Sequence, residues 1–380
     1  MIEFERALME NPRNAHFVPA AYLKAWYTKI NLHENENKND RRVFLFDKNK
    51  KYIDERNIKS IFHKKHYYKV NLKQHFDSKS DLLHDDLAMQ ILSRMENNKP
   101  RPVYAKYKDE IIDSIESIKK HMFTRRKLKP EEEKKAEKEW GWKFFYCDTN
   151  CEAKSRAINS DIDKINNYSV EKELNKQYED VWEDNYKRLI GAVQNKLCVD
   201  TVCDREVPQD CVEKAWRFFC MMLFRNPKFD AFGTKLGLKE NILNQNDENY
   251  DDVENLMEAY RLNDMVGVIS KNPNSIFEMF YSTGIRKCQL YLIHAPDDIP
   301  FITSDNPAFK FSHPDRGIEC YLFPMTPQYL LWIEGSMGKL FNTIGYRRVN
   351  HEFVKFLNNA ILDNCAEAFI SNQPTLDNLF

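Results

Sequence analysis

Apolar positions follow a helical period over much of the chain and a strand period near its end. Leu82, Leu83, Leu87, Ile91 and Met95 recur at helical spacing and predict a helical stretch from about Ser80 to Lys120. The same period predicts an amphipathic helix pair from Ser160 to Gln194. A further helix starts at Pro208 in PQDCVEKAWRFFCMMLFRNP and should stop before Pro227, because proline lacks the amide proton and clashes with the preceding turn. Its second half is apolar on nearly all sides, as expected of the central core helix. After Asn274 the period shortens to that of strands in KCQLYLIHA, IPFITSD and ECYLFPMTPQYLLWIEG, and NHEFVKFLNNAILDNCAEAFIS predicts a last helix.

Near the start, HFVPAAYLKAWY predicts an extended entry and a short helix. RRVFLFDKNKKYIDERNIKSIF predicts two strands around a turn at Asp47 to Lys51. Ile30 to Arg42 reads as a polar loop, and NQNDENYDDVEN as an acidic loop or helix approach. The expected fold class is α+β, a predominantly helical body with a C-terminal antiparallel β-sheet. It is expected as a single domain over 1–380 with a helical insertion at about 119–200.

Composition narrows the chemistry. Aromatic residues make up 13%, including 25 Phe and 18 Tyr, enough for a substantial core. With 10 glycines and neither GxGxxG nor GxxxxGK[ST], a glycine-rich phosphate cradle is excluded. Lys+Arg 57 against Asp+Glu 58 leaves a net charge of −1, so any nucleic-acid contact must come from a local patch. The basic run KKHMFTRRKLK (Lys119 to Lys129) is followed at once by acidic residues, which favours a solvated helix face. Nine cysteines, an odd number with no CxxC, fit reduced thiols. The opening MIEFERALMENPRN is acidic where a signal peptide is basic, and AWRFFCMMLF is short and interrupted by Arg217, so a soluble, cytoplasmic protein without membrane contact is expected. His63 with His66, and Cys147 with Cys151, have ligand-like spacing but lack a second half at finger-like spacing; EGSMG falls one residue short of GxSxG. No cofactor motif is evident and no metal ligand is assigned, while a divalent metal stays open.

Three local features carry the remaining candidates. His16 precedes a Val-Pro that favours extended backbone. Arg225 ends the apolar helix, where a guanidinium must cap carbonyls, pair or hold an anion. Ser304, Asp305 and Asn306 end an apolar segment in an Asx-prone turn, and polar groups at the end of a buried strand often line a pocket. Together HFVPAAYL, RNP, PFITSDNP, LFPMTP and VNHEFVKFLNNAI resemble, in order and over about Asn14 to Ser371, the bacterial family of domain of unknown function 4238. The resemblance places the family's polar positions on His16, Arg225, Ser304, Asp305 and Asn306, with Asn350, Asn358 and Glu96 added. Asn226, where the family often has threonine, and Met325-Thr326 depart from its pattern. The resemblance implies no established activity.

The residue types point first to a hydrolase that cuts a phosphodiester, a nuclease or nucleotide-cleaving enzyme in a bacterial toxin or anti-phage setting. In that reading His16 is the general acid or base, with an unperturbed pKa of about 6.5. Arg225 neutralises a phosphate. Asp305 orients His16 or holds a metal, and Glu96 is a second carboxylate. Ser304, Asn306 and Asn350 bind substrate, and the partner is a nucleic acid or nucleotide. A second reading is a non-catalytic ligand- or protein-binding module, with Phe17, Tyr22, Trp26 and Phe309 stacking a base or receiving a peptide. A third is a buried polar network that ties the N-terminal segment to the sheet.

Overall fold

The computed structural model describes residues 14–16, 18–27, 42–65, 81–107, 110–123, 142–194, 203–226, 268–269, 273, 275–314, 317, 319–335 and 343–380, excepting 315–316 and 318. The acidic segment NQNDENYDDVEN, Phe17, His66, the glycine-flanked Ser336 and the end of the basic run beyond Phe123 lie outside the described residues.

In chain order the elements begin with β1 (Asn14–His16), α1 (Ala20–Leu23), β2 (Arg42–Asp47), β3 (Tyr52–Asn57) and β4 (His63–Lys65). Then come α2 (Asp81–Glu96), β5 (Val103–Tyr107), β6 (Glu110–Ile112), α3 (Ile115–Phe123) and β7 (Lys143–Tyr146). Next are α4 (Ser155–Leu174), a π turn (Asn175–Glu179), α5 (Asp180–Gln194), β8 (Cys203–Glu206), α6 (Gln209–Arg225) and α7 (Ile276–Lys287). The last third holds β9 (Cys288–His294), β10 (Thr303–Ser304), β11 (Phe309–Ser312), β12 (Glu319–Thr326), β13 (Tyr329–Gly335), β14 (Thr343–Arg348), α8 (His351–Asn364) and β15 (Ala368–Ser371).

The chain divides into two compact units. The described part of 68–173 forms one, in which β6, β5 and β7 make a three-stranded sheet. Ala88, Ile91 and Met95 of α2 pack with Val103, Ala105, Phe144, Ile158 and Ile162 in its core. The described parts of 14–67, 174–234 and 271–380 form the other. It contains the pair β1-β4, the four-stranded sheet β10-β15-β2-β3 and the six-stranded sheet β11-β12-β13-β9-β14-β8.

The expectation of a helical body followed by an antiparallel sheet is corrected on two counts. Strands run through the whole chain, and β2 from its start pairs with β15 from its end. Within the large sheet β9 and β14 run parallel. The helical stretch expected over Ser80 to Lys120 ends at Glu96, because Pro100 and Pro102 break it, and VYAKY and EII then pair as β5 and β6. The strand expected across IPFITSD is reduced to Thr303–Ser304, since Ile299 to Ile302 are buried by side-chain packing outside a ladder.

Other expectations hold. β2 and β3 flank the anticipated turn, α1 follows the extended entry, and α6 starts after Pro208 with twelve buried residues. The helix pair is α4 and α5, joined through the π turn. α7 owes its start to Ser275, whose Oγ accepts the Glu278 amide at 3.1 Å. Gly345 lets β14 lie close to β9: a Cβ there would come within 2.2 Å of the Tyr291 ring.

Candidate functional site

The structure brings most of the sequence-predicted polar residues of the second unit to one buried junction. Asp305 accepts backbone N–H bonds from Ala366 at Oδ1 (2.9 Å) and from Glu367 and Ala368 at Oδ2 (2.7 and 3.3 Å), while its own N–H donates to the Ala368 carbonyl. Ser304 is fully buried, and its Oγ accepts the Asn306 amide at 3.1 Å, the local turn anticipated from the sequence. Asn306 donates to the Asn364 carbonyl at 3.2 Å and accepts from Asn226 at 2.5 Å. Asn358, fully buried, accepts from the Ile302 amide and donates to the Pro300 and Leu379 carbonyls, each near 3.0 or 3.1 Å. Tyr22 joins from α1: its hydroxyl donates to the Pro324 carbonyl at 2.5 Å and accepts from Thr303 Oγ1 at 2.7 Å. Burial alone pushes the Tyr22 phenol well above its ordinary range, so it stays a hydroxyl.

The segments that resemble family motifs therefore meet here, AYL through Tyr22, RNP through Asn226, TSDNP directly, FPMTP through Pro324 and the last helix through Asn358. In chemical terms the junction is a set of backbone groups satisfied by side chains, which is what buried strand ends and helix termini require.

Arg225, 1% exposed, lies at the end of α6 and donates from Nη1 to Glu179 Oε1 at 2.8 Å. The Asn175 amide reaches both Glu179 oxygens at 2.9 and 3.0 Å. Burial raises the Glu179 pKa, and the guanidinium pulls it back. Asn350 caps α8 by accepting the Phe353 amide at 3.0 Å. Glu96 is exposed at the end of α2 and belongs to the other unit. The backbone of His16 pairs with His63 across β1 and β4, and its side chain lies outside the described residues.

A second polar constellation escaped the sequence reading. Because β9 and β14 are parallel, His294 and Arg348 stand opposite each other where both strands end, and the Val349 amide donates to the His294 carbonyl. The ends of parallel strands are a common place for ligands, since the chain there turns away from the sheet and leaves a crevice. His294 Nδ1 lies 2.6 Å from the Tyr346 hydroxyl and 3.4 Å from Arg348 Nε. The roles follow the tautomer: a bare Nδ1 accepts from Tyr346 and Arg348, whereas a protonated Nδ1 donates to the Tyr346 oxygen and leaves Nε2 bare. The imidazole stacks on Tyr329 with 4.5 Å between ring centres, and Gln194 donates to the Tyr329 hydroxyl. Burial, then Arg348, lowers the His294 pKa, with Asp297 opposing, so the ring is neutral at neutral pH.

The same edge carries Asp297, Asp298 and the start of α8, where His351 Nε2 meets both Asp298 oxygens at 2.9 Å. Asn350 is the one sequence-predicted substrate residue placed on this edge. Nothing local in LYLIHAP or GYRRVNH announces the constellation; 54 residues separate His294 from Arg348, and only the parallel pairing unites them.

The eight described cysteines are free, and no described helix is long and apolar enough to cross a membrane. Among the described residues no cluster of three His, Cys, Asp or Glu side chains stands ready for a metal. No curated protein and no solved structure matches the chain. A family model does, over residues 14–375, under the description Protein of unknown function (DUF4238). That match covers nearly the whole chain and every segment meeting at the junction, and the chain belongs to the DUF4238 family.

Proposed function

We propose that the protein is a hydrolase that cleaves phosphodiester bonds, a nuclease or nucleotide-cleaving enzyme of a bacterial toxin or anti-phage system, and that its chemistry belongs to the edge formed by β9 and β14. The observation that carries the reading is the buried, neutral His294 held between Tyr346 and Arg348 at the ends of parallel strands. Tyr346 suits both neutral forms of the ring. With the proton on Nε2, the hydroxyl donates to Nδ1; with the proton on Nδ1, the hydroxyl oxygen accepts it and Nε2 is a base for a water or a ribose hydroxyl.

The lowered proton affinity keeps that base unprotonated at neutral pH. As Nε2 takes the proton from the attacking oxygen, the resulting imidazolium keeps its Nδ1–H on Tyr346 and returns the Nε2 proton, directly or through water, to the leaving oxygen as its P–O bond breaks. Exposed Arg348 is placed to bind a non-bridging phosphate oxygen and to stabilise the charge that builds there in the transition state. The buried junction around Asp305 and Asn358 holds β10, β15 and α8 together, in the framework role that Arg225 shares through Glu179.

Profiling of RNA and nucleotides after expression, followed by hydrolysis assays on the purified full chain, tests the reading. Loss of at least about 100-fold in kcat on His294→Gln is expected if the imidazole acts as base. A stable, folded His294→Gln chain with undiminished turnover removes His294 from the chemistry, and a wild type inert toward every phosphodiester in the panel removes the hydrolase reading.

A further inference from the structure

The edge at the ends of β9 and β14 combines few cations with exposed acids. Arg348 is exposed beside His294, and Arg347, one residue earlier on the strand, instead lies over the Phe353 ring at 5.2 Å. Asp297 and Asp298, in the loop that leaves β9, are both exposed, and the Asp298 side chain keeps 74% of its surface in water. His351 is already engaged by Asp298 at 2.9 Å. Asp297 is close enough to act electrostatically on His294, Tyr329 and Arg348 together. A groove that tracks a nucleic-acid backbone needs a row of cations with stacking aromatics, because each phosphate along the strand brings another charge. Among the described residues, the loop that leaves β9 brings Asp297 to act on Arg348 and Asp298 onto His351, both of the opposite sign, and Tyr329 is buried beneath the imidazole.

Resting on the hydrolase reading of this edge, we propose that the site takes a small phosphodiester with a single anionic group, of dinucleotide or cyclic nucleotide size, and discriminates against polynucleotides. Arg348 receives the one phosphate, while the phosphates flanking a scissile bond in a longer strand meet Asp297 and Asp298 and are repelled. The selectivity is thus built from carboxylates placed beside the Arg348 guanidinium, a form of exclusion by unfavourable contact.

The test compares adenylyl-(3′→5′)-adenosine with a ten-nucleotide oligoadenylate, using the full chain at 50 and 200 mM salt. The dinucleotide is expected to have a kcat/KM at least about tenfold higher per bond, with a log–log salt slope near about −1 or shallower, as for one phosphate contact. Asp297→Asn combined with Asp298→Asn is expected to raise the ratio of oligonucleotide to dinucleotide turnover several-fold. Preference for the oligonucleotide with a slope steeper than about −3 overturns the inference. If that activity still disappears in His294→Gln, the hydrolase reading stands and only the selectivity falls. A wild type that neither cleaves nor binds either compound overturns both.

Discussion

The junction around Asp305 and the edge around His294 are both polar, lie in the same unit and draw on some of the same segments, yet they differ in what their polar atoms bind. At the junction the side chains of Asp305, Asn306, Asn358 and Tyr22 spend their hydrogen bonds mainly on backbone groups, those bound by Asn358 and Tyr22 being buried. At the edge, His294, Tyr346 and Arg348 bond to one another, and the guanidinium stands in solvent. The first arrangement is stable because it is saturated. The second leaves the Arg348 guanidinium turned to solvent beside a buried imidazole. The polar residues of the motif segments are therefore compatible with a framework role.

Arg225→Leu should give the largest effect on the framework side of this contrast. It leaves Glu179 buried without its guanidinium, and breaking a buried pair on one side costs about 3–5 kcal/mol. Urea denaturation measures it; Glu179→Gln in the same chain should recover part of the loss, because the neutral amide is cheaper to bury. A cost under about 1 kcal/mol would show that the pair contributes little to the framework. Asp305→Ala comes next, at about 2–3 kcal/mol, since three backbone N–H groups lose their acceptor but those of Ala366 and Glu367 lie where water can replace it. A thermal midpoint unchanged in Asp305→Ala would break the comparison at its strongest structural point. Tyr22→Phe should cost about 1–2 kcal/mol, as the Pro324 carbonyl and Thr303 hydroxyl lose a buried partner with no change in packing volume.

The smallest effect sits at the edge and depends on pH. The folded His294 binds its proton more weakly than the unfolded chain, whose imidazole titrates near about 6.5. Between that value and the lower folded one, the unfolded chain holds more protons, so this contribution to stability is complete above the unfolded pKa and is lost as pH falls toward the folded one. Arg348 and Asp297 act electrostatically on the ring, and Arg348 keeps its charge through this range. Urea midpoints at pH 7.5 and 5.5 should differ more in wild type than in His294→Gln. Equal differences would show that another group sets the slope.

Much of this fold was legible where the pattern was local. The hairpin of β2 and β3, the core helix α6 bounded by Pro208 and Pro227, and the last helix as far as Asn364 follow from period and breakers in single stretches, although the expected continuation of that helix through AEAFIS is instead strand β15. What failed was non-local. FIS in the tail does not say that its partner is VFLF from residues 43–46, and nothing in Cys288–His294 says that its neighbour will be a parallel strand some 50 residues on. The helical reading carried too far past Glu96 because VYAKY is short and mixed, and its strand character comes from pairing with β7. The candidate site divides in the same way. Ser304, Asp305 and Asn306 were found because they are contiguous and follow an apolar run, and the Asx-type turn anticipated there is present. Their tie to Ala366, Glu367 and Asn364 could not be read, because it depends on the return of the chain 58 to 63 residues later. His294 and Arg348 were missed for the same reason.

The contrast between framework and edge is tested most directly by measuring phosphodiester turnover in His294→Gln and Tyr22→Phe side by side, with each variant held at conditions where it is fully folded by circular dichroism. The account predicts that His294→Gln loses at least about 100-fold in kcat while its stability stays near wild type, and that Tyr22→Phe loses stability while its kcat stays within about twofold. Turnover that survives in His294→Gln, or that vanishes in a folded Tyr22→Phe, would contradict it.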